Sequence, residues 1–295
     1  ITVRLVGSEM CIRDSDKSFQ AFEMKGLSLT SKINSDISYF SSHNLIGYKE
    51  GTSKPDEYLI FMAHWDHLGI NDELIGDQIF NGAADNAAGV AAVIELARKF
   101  DQVQTERSII FTALTLEESG LLGSAYLAEN PPVDLANIVA GFNFDRVLPT
   151  GKTKDMAVIG YGASELEDYL EKELEKQGRY INPDPNPEKG YFYRSDHISF
   201  AKKGVPVLYS DDGFDLEDGG IEKGFSEIYD YTNFRYHGVK DEYDPSWNLE
   251  GFEQTINTIF NISLDLSNSS DWPNWYEGNE FRATRDAQLS SKNTP

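Results

Sequence analysis

Residues 58–67 read Tyr-Leu-Ile-Phe-Met-Ala-His-Trp-Asp-His, six apolar or aromatic positions running straight into two imidazoles and a carboxylate. An uninterrupted apolar run this short is a strand buried on both faces, as in the middle of an α/β sheet, because a half-solvated strand would alternate. Similar β-rich runs stand at Leu45–Tyr48, Ser108–Thr115, Ile138–Phe144, Met156–Tyr161 and Val205–Ser210. Helical patterns lie between them. Ala87–Phe100 sets Val90, Val93, Ile94 and Ala97 on one face, Ser164–Gln177 opens with a Ser164/Glu167 capping box, and Leu249–Leu266 is a long late helix. Alternating strands and helices predict an α/β three-layer sandwich around a mostly parallel, mixed central sheet.

Outside that rhythm, Asn182–Tyr191 is a Pro/Asn-rich loop, and Asp211–Asn248 is a long acidic stretch, rich in Gly and Tyr, without clear periodicity. The opening ITVRLVGSEMCIRDS has neither strand alternation nor a helical stripe. Residues 1–15 are therefore read as a non-native leader and 16–44 as the end of a truncated amino-terminal or inserted region. Residues 45–267 form the main domain, and 268–295 a tail packed on it through Trp272, Trp275, Tyr276 and Phe281.

With 295 residues, 40% of them hydrophobic, the chain can bury a full core. Its 26 basic against 49 acidic residues leave a net charge of −23, which repels nucleic acid and anionic membranes and excludes both as natural partners. No apolar run approaches the roughly 20 residues needed to span a bilayer. Cys11 is the sole cysteine, so a metal site must be built from His, Asp and Glu, a mixture that suits zinc, manganese or cobalt.

Five such residues stand at element boundaries. His64 leaves the apolar strand at its carboxyl end, where open α/β sheets place their sites, and Asp66 is spaced to hold its ring. Asp85 sits in Asn81-Gly-Ala-Ala-Asp-Asn-Ala-Ala-Gly89, where taken alone a helix N-cap, at Asp85 or Asn86, is the better explanation. Glu117 and Glu118 follow the strand Ser108–Thr115. Neighbouring acids at such a junction can divide the labour, one binding a metal while the other takes a proton from water. Asp145 closes Phe142-Asn-Phe-Asp145, and His197 closes Tyr193-Arg-Ser-Asp-His197.

Together, AHWDH, GAADNAAG, EESGLLGS, NFD and SDH resemble the co-catalytic di-zinc aminopeptidase family, related to glutamate carboxypeptidases and glutaminyl cyclases, over roughly residues 40 to 285. The resemblance implies a zinc peptidase domain over 45–267 that removes amino-terminal residues from peptides with a free N-terminus. It further implies two Zn2+ ions per chain bridged by Asp85, with His64 and Asp145 completing one site and Glu118 and His197 the other. By the same token Glu117 is the general base, Asp66 orients His64, the Asp85–Asn86 peptide is cis, and the enzyme is secreted or periplasmic. Some relatives place a Tyr before the last His ligand, where this chain has Asp196. Tyr193, Arg194 and His237 are the candidates to replace it, and Arg146 is a further polar candidate near the site. Rival readings are a single-zinc glutaminyl cyclase and a catalytically inactive binding module. A glutamate carboxypeptidase would need clustered arginines, whereas Arg146, Arg194 and Arg235 are scattered.

Overall fold

The computed structural model describes residues 26, 28 and 30–292; the leader assigned to residues 1–15 and Cys11 lie outside that range. Contacts divide the chain into Ile1–Ser41, which has no helix or strand among its described residues, and Ser42–Pro295, which carries all the architecture below.

Among the described residues nine strands form: β1 (Leu45–Lys49), β2 (Lys54–His64), β3 (Gly69–Ile70), β4 (Ile79–Phe80), β5 (Arg107–Leu114), β6 (Ile138–Asn143), β7 (Asp155–Val158), β8 (Tyr180–Pro183) and β9 (Val207–Asp212). Seven of them build one sheet in the order β1-β5-β2-β6-β9-β7-β8, and β3 pairs with β4 separately. The contacts β5·β2, β2·β6, β6·β9 and β7·β8 are parallel, while β1·β5 and β7·β9 are antiparallel, so the sheet is mostly parallel and mixed. Around it lie α1 (Ala88–Asp101), α2 (Leu122–Glu129), α3 (Leu166–Lys176), α4 (His197–Ala201), α5 (Gly220–Phe234), α6 (Glu250–Ser267) and α7 (Arg282–Lys292).

Alternation along β2 builds both cores. Leu59, Phe61 and Ala63 join residues of α1, α3 and α6 on one face, whereas Tyr58, Ile60 and Met62 join Leu127 of α2 and Phe200 of α4 on the other. The Phe61 ring stacks between Phe111 and Phe142 at centroid distances of 5.6 and 5.2 Å and meets Phe100 at 5.7 Å, a burial that contributes about 2 kcal/mol. In the tail, Trp275 and Phe281 are buried against Ile198 and Ala201 of α4, and the Trp275 indole donates to the Gly204 carbonyl at 3.0 Å.

Three expectations meet a different structure. Asp211–Asn248 contains the 15-residue helix α5, whose apolar side is poorly covered: Ile221, Phe225, Tyr229 and Phe234 are all exposed. The capping box forms only in half, with the Glu167 carboxylate accepting the N–H groups of Gly162, Ala163 and Ser164. The Pro/Asn-rich loop begins inside the edge strand β8, where Pro183 is tolerated at the strand's end.

Candidate metal centre

The chain leaves β2 for β5 on one side and later returns to β6 on the other, so the carboxyl end of β2 is a switch point in strand order. Register then aligns the donors. His64, the last residue of β2, pairs with Leu114, and Met62 pairs with Asn143, so two residues further on His64 and Asp145 stand level. His64 Nε2 lies 3.3 Å from Asp145 Oδ1 and 3.2 Å from Asp85 Oδ1.

Asp85 reaches this place on a short wide turn, Ala83–Ala87, and the Asp85–Asn86 peptide is cis. The turn is tied down at several points. The buried Asp241 carboxylate accepts the Ala84 and Asp85 N–H groups at 3.0 Å each and the Tyr231 hydroxyl at 3.2 Å, while the Asn86 amide donates to the Phe144 carbonyl at 2.9 Å. Asp85 Oδ1 faces His64, and Oδ2 lies 3.3 Å from His237 Nε2.

Glu117 and Glu118 follow Leu116, whose φ of 57° turns the chain sharply out of β5. Their N–H groups donate to Asp66 Oδ1 and Oδ2 at 3.0 and 3.3 Å. This corrects the role expected of Asp66. Its main-chain carbonyl, not its carboxylate, accepts from His64 Nδ1 at 3.0 Å; the carboxylate stands 3.8 Å from that ring and holds the two glutamates instead. Glu118 Oε2 lies 3.0 Å from His237 Nε2, and Glu118 Oε1 lies 2.7 Å from His67 Nδ1.

His197 is not brought to these carboxylates and forms no ion pair among the described residues. It lies on α4 behind the cavity, its ring fully buried between Phe192 and Tyr209 at 4.8 Å from each. Burial pushes this imidazole down to about 3, so it is neutral. The imidazole that does approach Asp85 and Glu118 is His237, which follows α5, has a φ of 54° and stacks on Tyr236 at 3.9 Å. His67, which sequence reasoning passed over, also points inward. Its doubled imidazole within His64-Trp-Asp-His67 was the available signal, but alternation places residues i and i+3 on opposite faces only while a strand continues, and β2 ends at His64.

The cavity enclosed by these groups is about 400 Å³ and is lined by Asp85, Glu117, Glu118, Asp145 and His237, with Arg146, Tyr193, Arg194 and Tyr236 among its other walls. Arg146 pairs with Asp211, the Arg194 guanidinium lies over Tyr191 at 5.4 Å, and the Tyr193 hydroxyl donates to Glu280 at 2.8 Å. Burial and the Asp145 charge push Glu117 up to about 9. Hydrogen bonds to Asp85 and Glu118 push His237 up to about 10. Burial alone would raise the Asp85 carboxyl, but His237 and His64 outweigh it and hold the group well below the usual carboxylate range.

Four carboxylates, Asp85, Glu117, Glu118 and Asp145, thus line one cavity. The ligating atoms of His64, Glu117 and Asp145 lie within 4.8 Å of one another, as do those of His67, Asp85 and Glu118, so the nitrogen and oxygen donors fit two neighbouring divalent cations of the zinc type.

Residues 44–262 match the model of Peptidase family M28. A probable zinc metalloprotease of Pyricularia oryzae is 33% identical over 273 residues, covering 77% of this chain and 53% of that protein. The chain thus spans about half, or less, of the length of the curated relatives it matches. An aminopeptidase from Aneurinibacillus sp. strain AM-1 shares the fold at a TM-score of 0.58 and 20% identity, covering 78% of this chain and 49% of that one. Porphyromonas gingivalis glutaminyl cyclase shares it at 0.51 and 19%, with 76% and 77% covered. With three-quarters of its length inside one family model and its ligand-type side chains gathered where that sheet changes direction, the chain belongs to peptidase family M28.

Proposed function

We propose that this chain is a metallo-exopeptidase, an aminopeptidase that removes amino-terminal residues from peptides with two zinc ions as cofactor. The observation that carries the reading is the division of the Asp85 carboxylate, one oxygen toward His64 and the other toward His237, as a bridging ligand requires. His64 and Asp145 complete one donor set. Glu118 and His237 complete the other, His237 taking the role that the motif resemblance implied for His197.

Bound zinc supplies Lewis-acid charge, which polarises a carbonyl and lowers the pKa of water from about 15.7 toward about 7. Glu117, on the cavity wall and outside both ligand sets in this reading, takes the proton of the attacking water at its carboxylate and passes it to the leaving amine. Asp66 acts from behind: it fixes the main chain of both glutamates, and its carbonyl selects which nitrogen of His64 faces the cavity. The acidic lining gives a peptide's α-ammonium its counter-charge. Tyr193, Arg194 and Arg146 are proposed as contacts for the rest of the substrate. A secreted or periplasmic location is part of the proposal, supported by a net charge of −23, which keeps a chain dispersed in dilute surroundings. Among the described residues no helix is long and apolar enough to cross a membrane.

The test combines metal content with hydrolysis of a panel of aminoacyl-anilides, run with and without chelator and with zinc restored. Glu117→Gln should keep both ions and lose about 10²–10⁴-fold in turnover. Full activity in that variant removes Glu117 from the reaction. One zinc per chain with no hydrolysis favours the glutaminyl cyclase reading, and a folded chain that binds no metal favours the inactive module.

A further inference from the structure

His67 stands apart from the five residues assigned to the metals, yet it is among the most deliberately housed side chains of the site. Its Nδ1 lies 2.7 Å from Glu118 Oε1, and both side chains are 93% buried, being 7% exposed. Even so, neither ring nitrogen of His67 nor that Glu118 oxygen makes a well-aligned hydrogen bond to the protein. Leaving buried polar atoms without a well-made hydrogen bond carries a desolvation cost. Such a cost is expected where the atoms serve something else.

The space for the ring is provided by Gly82. A Cβ at that position would stand 2.6 Å from His67 Cγ and 2.4 Å from the Asp85 carbonyl oxygen, and the residue has a φ of +61°. The same turn that delivers Asp85 therefore also leaves room for His67. On the far side, the His67 ring meets the His237 ring edge-on at 5.7 Å and 71°. His67, Asp85 and Glu118 bring their ligating atoms within 4.8 Å of one another, and His237 Nε2 lies 3.3 Å from Asp85 Oδ2 and 3.0 Å from Glu118 Oε2.

From this we infer that His67 is a fourth protein donor to the second metal site, making it His67, Asp85, Glu118 and His237, while the first keeps only His64, Asp145 and Asp85. The inference rests on the two-ion reading above. Four protein donors close a zinc site, whereas three leave a position open for water or substrate. The two sites therefore differ in kind. The second is the tightly retained, anchoring site, and the first is the exchangeable one facing the reaction.

Cobalt replacement followed by NMR tests this without relying on turnover, since each imidazole bound to Co2+ gives a paramagnetically shifted, exchangeable ring N–H signal. The wild-type chain carrying two Co2+ should show three such signals, from His64, His67 and His237; His67→Asn should remove one and His197→Asn none. Chelator competition on the same proteins should show the slower-leaving ion becoming about 10-fold or more easier to remove in His67→Asn, with the faster one unchanged. Two shifted signals in a wild-type chain that holds two ions, or three signals surviving in His67→Asn, overturns the inference and leaves the two-ion reading intact. Uptake of fewer than two ions by the wild type overturns both. The wild-type spectrum decides the matter even if the variant does not fold.

Discussion

The two halves of the candidate metal centre are built by different means. His64 and Asp145 extend adjacent parallel strands, and their meeting is a consequence of ladder register and of a core packed on both sheet faces. His237 hangs from the chain after α5, is 35% exposed where His64 is 1% exposed, and is aimed by a left-handed backbone and by stacking on Tyr236. A donor on a strand end is placed by dozens of remote contacts. A donor on a loop is placed by a few near ones, so it can be lost without loss of the fold.

The largest expected effect divides the halves. His237→Ala should lose one metal and about 10³-fold in kcat/KM with a midpoint of thermal unfolding close to that of the metal-free wild type. His64→Ala should lose metal and also unfold more easily. Equal destabilisation by the two, measured by metal analysis and calorimetry on chelated protein, would break the comparison. His197→Ala should do the reverse of His237→Ala. Emptying the space between Phe192 and Tyr209 should cost about 3 kcal/mol, as for other large buried rings, with both metals retained.

A smaller effect comes from Asp212 at the end of β9. Burial pushes its carboxyl up to about 6, partly opposed by hydrogen bonds from Thr255 and the Leu148 N–H. Between about pH 4 and 6 the folded chain keeps a proton that the unfolded chain has already lost. This group's contribution to stability therefore falls as pH rises through that window, by at most about 1.4 kcal/mol per unit, and is level above it. Urea titrations of wild type and Asp212→Asn should diverge with that sign, the variant gaining relative to wild type toward pH 6. The smallest effect is expected of Asp241→Asn, which keeps one acceptor for the Ala84, Asp85 and Tyr231 donors. A cost of about 1–2 kcal/mol with weakened metal retention would tie the loop half to this one carboxylate. No change in retention would mean the turn holds Asp85 unaided.

The same division explains what could be read from the chain. Apolar runs at Tyr58–Ala63 and, broken only by Asn143, at Ile138–Phe144 announce buried parallel strands, and a ligand-type residue just past each is visible because strand ends are where such sheets put their sites. The expected helices Ala87–Phe100 and Leu249–Leu266 differ from α1 and α6 by a residue at either end. By contrast, α5 begins with Gly220, contains Gly224 and leaves large apolar side chains in solvent, so its periodicity carries little information. His237 follows that helix, 119 positions after Glu118, and no local pattern links the two. His197 is the ligand that the motif resemblance implies, through Ser195-Asp-His197. What the sequence does not display is that its ring turns back into an aromatic nest.

Asp66 grips the amides of Glu117 and Glu118 with its two oxygens. In the proposed mechanism one of these neighbours moves protons and the other binds metal. Consecutive Cα atoms are held about 3.8 Å apart by covalent geometry. The two main-chain anchors are thus held one fixed step apart by chemical bonds, with Asp66 as the clamp that keeps that step from turning. Warming, salt or repacking of the core can loosen the cavity around the pair, but the spacing of its two anchors stays.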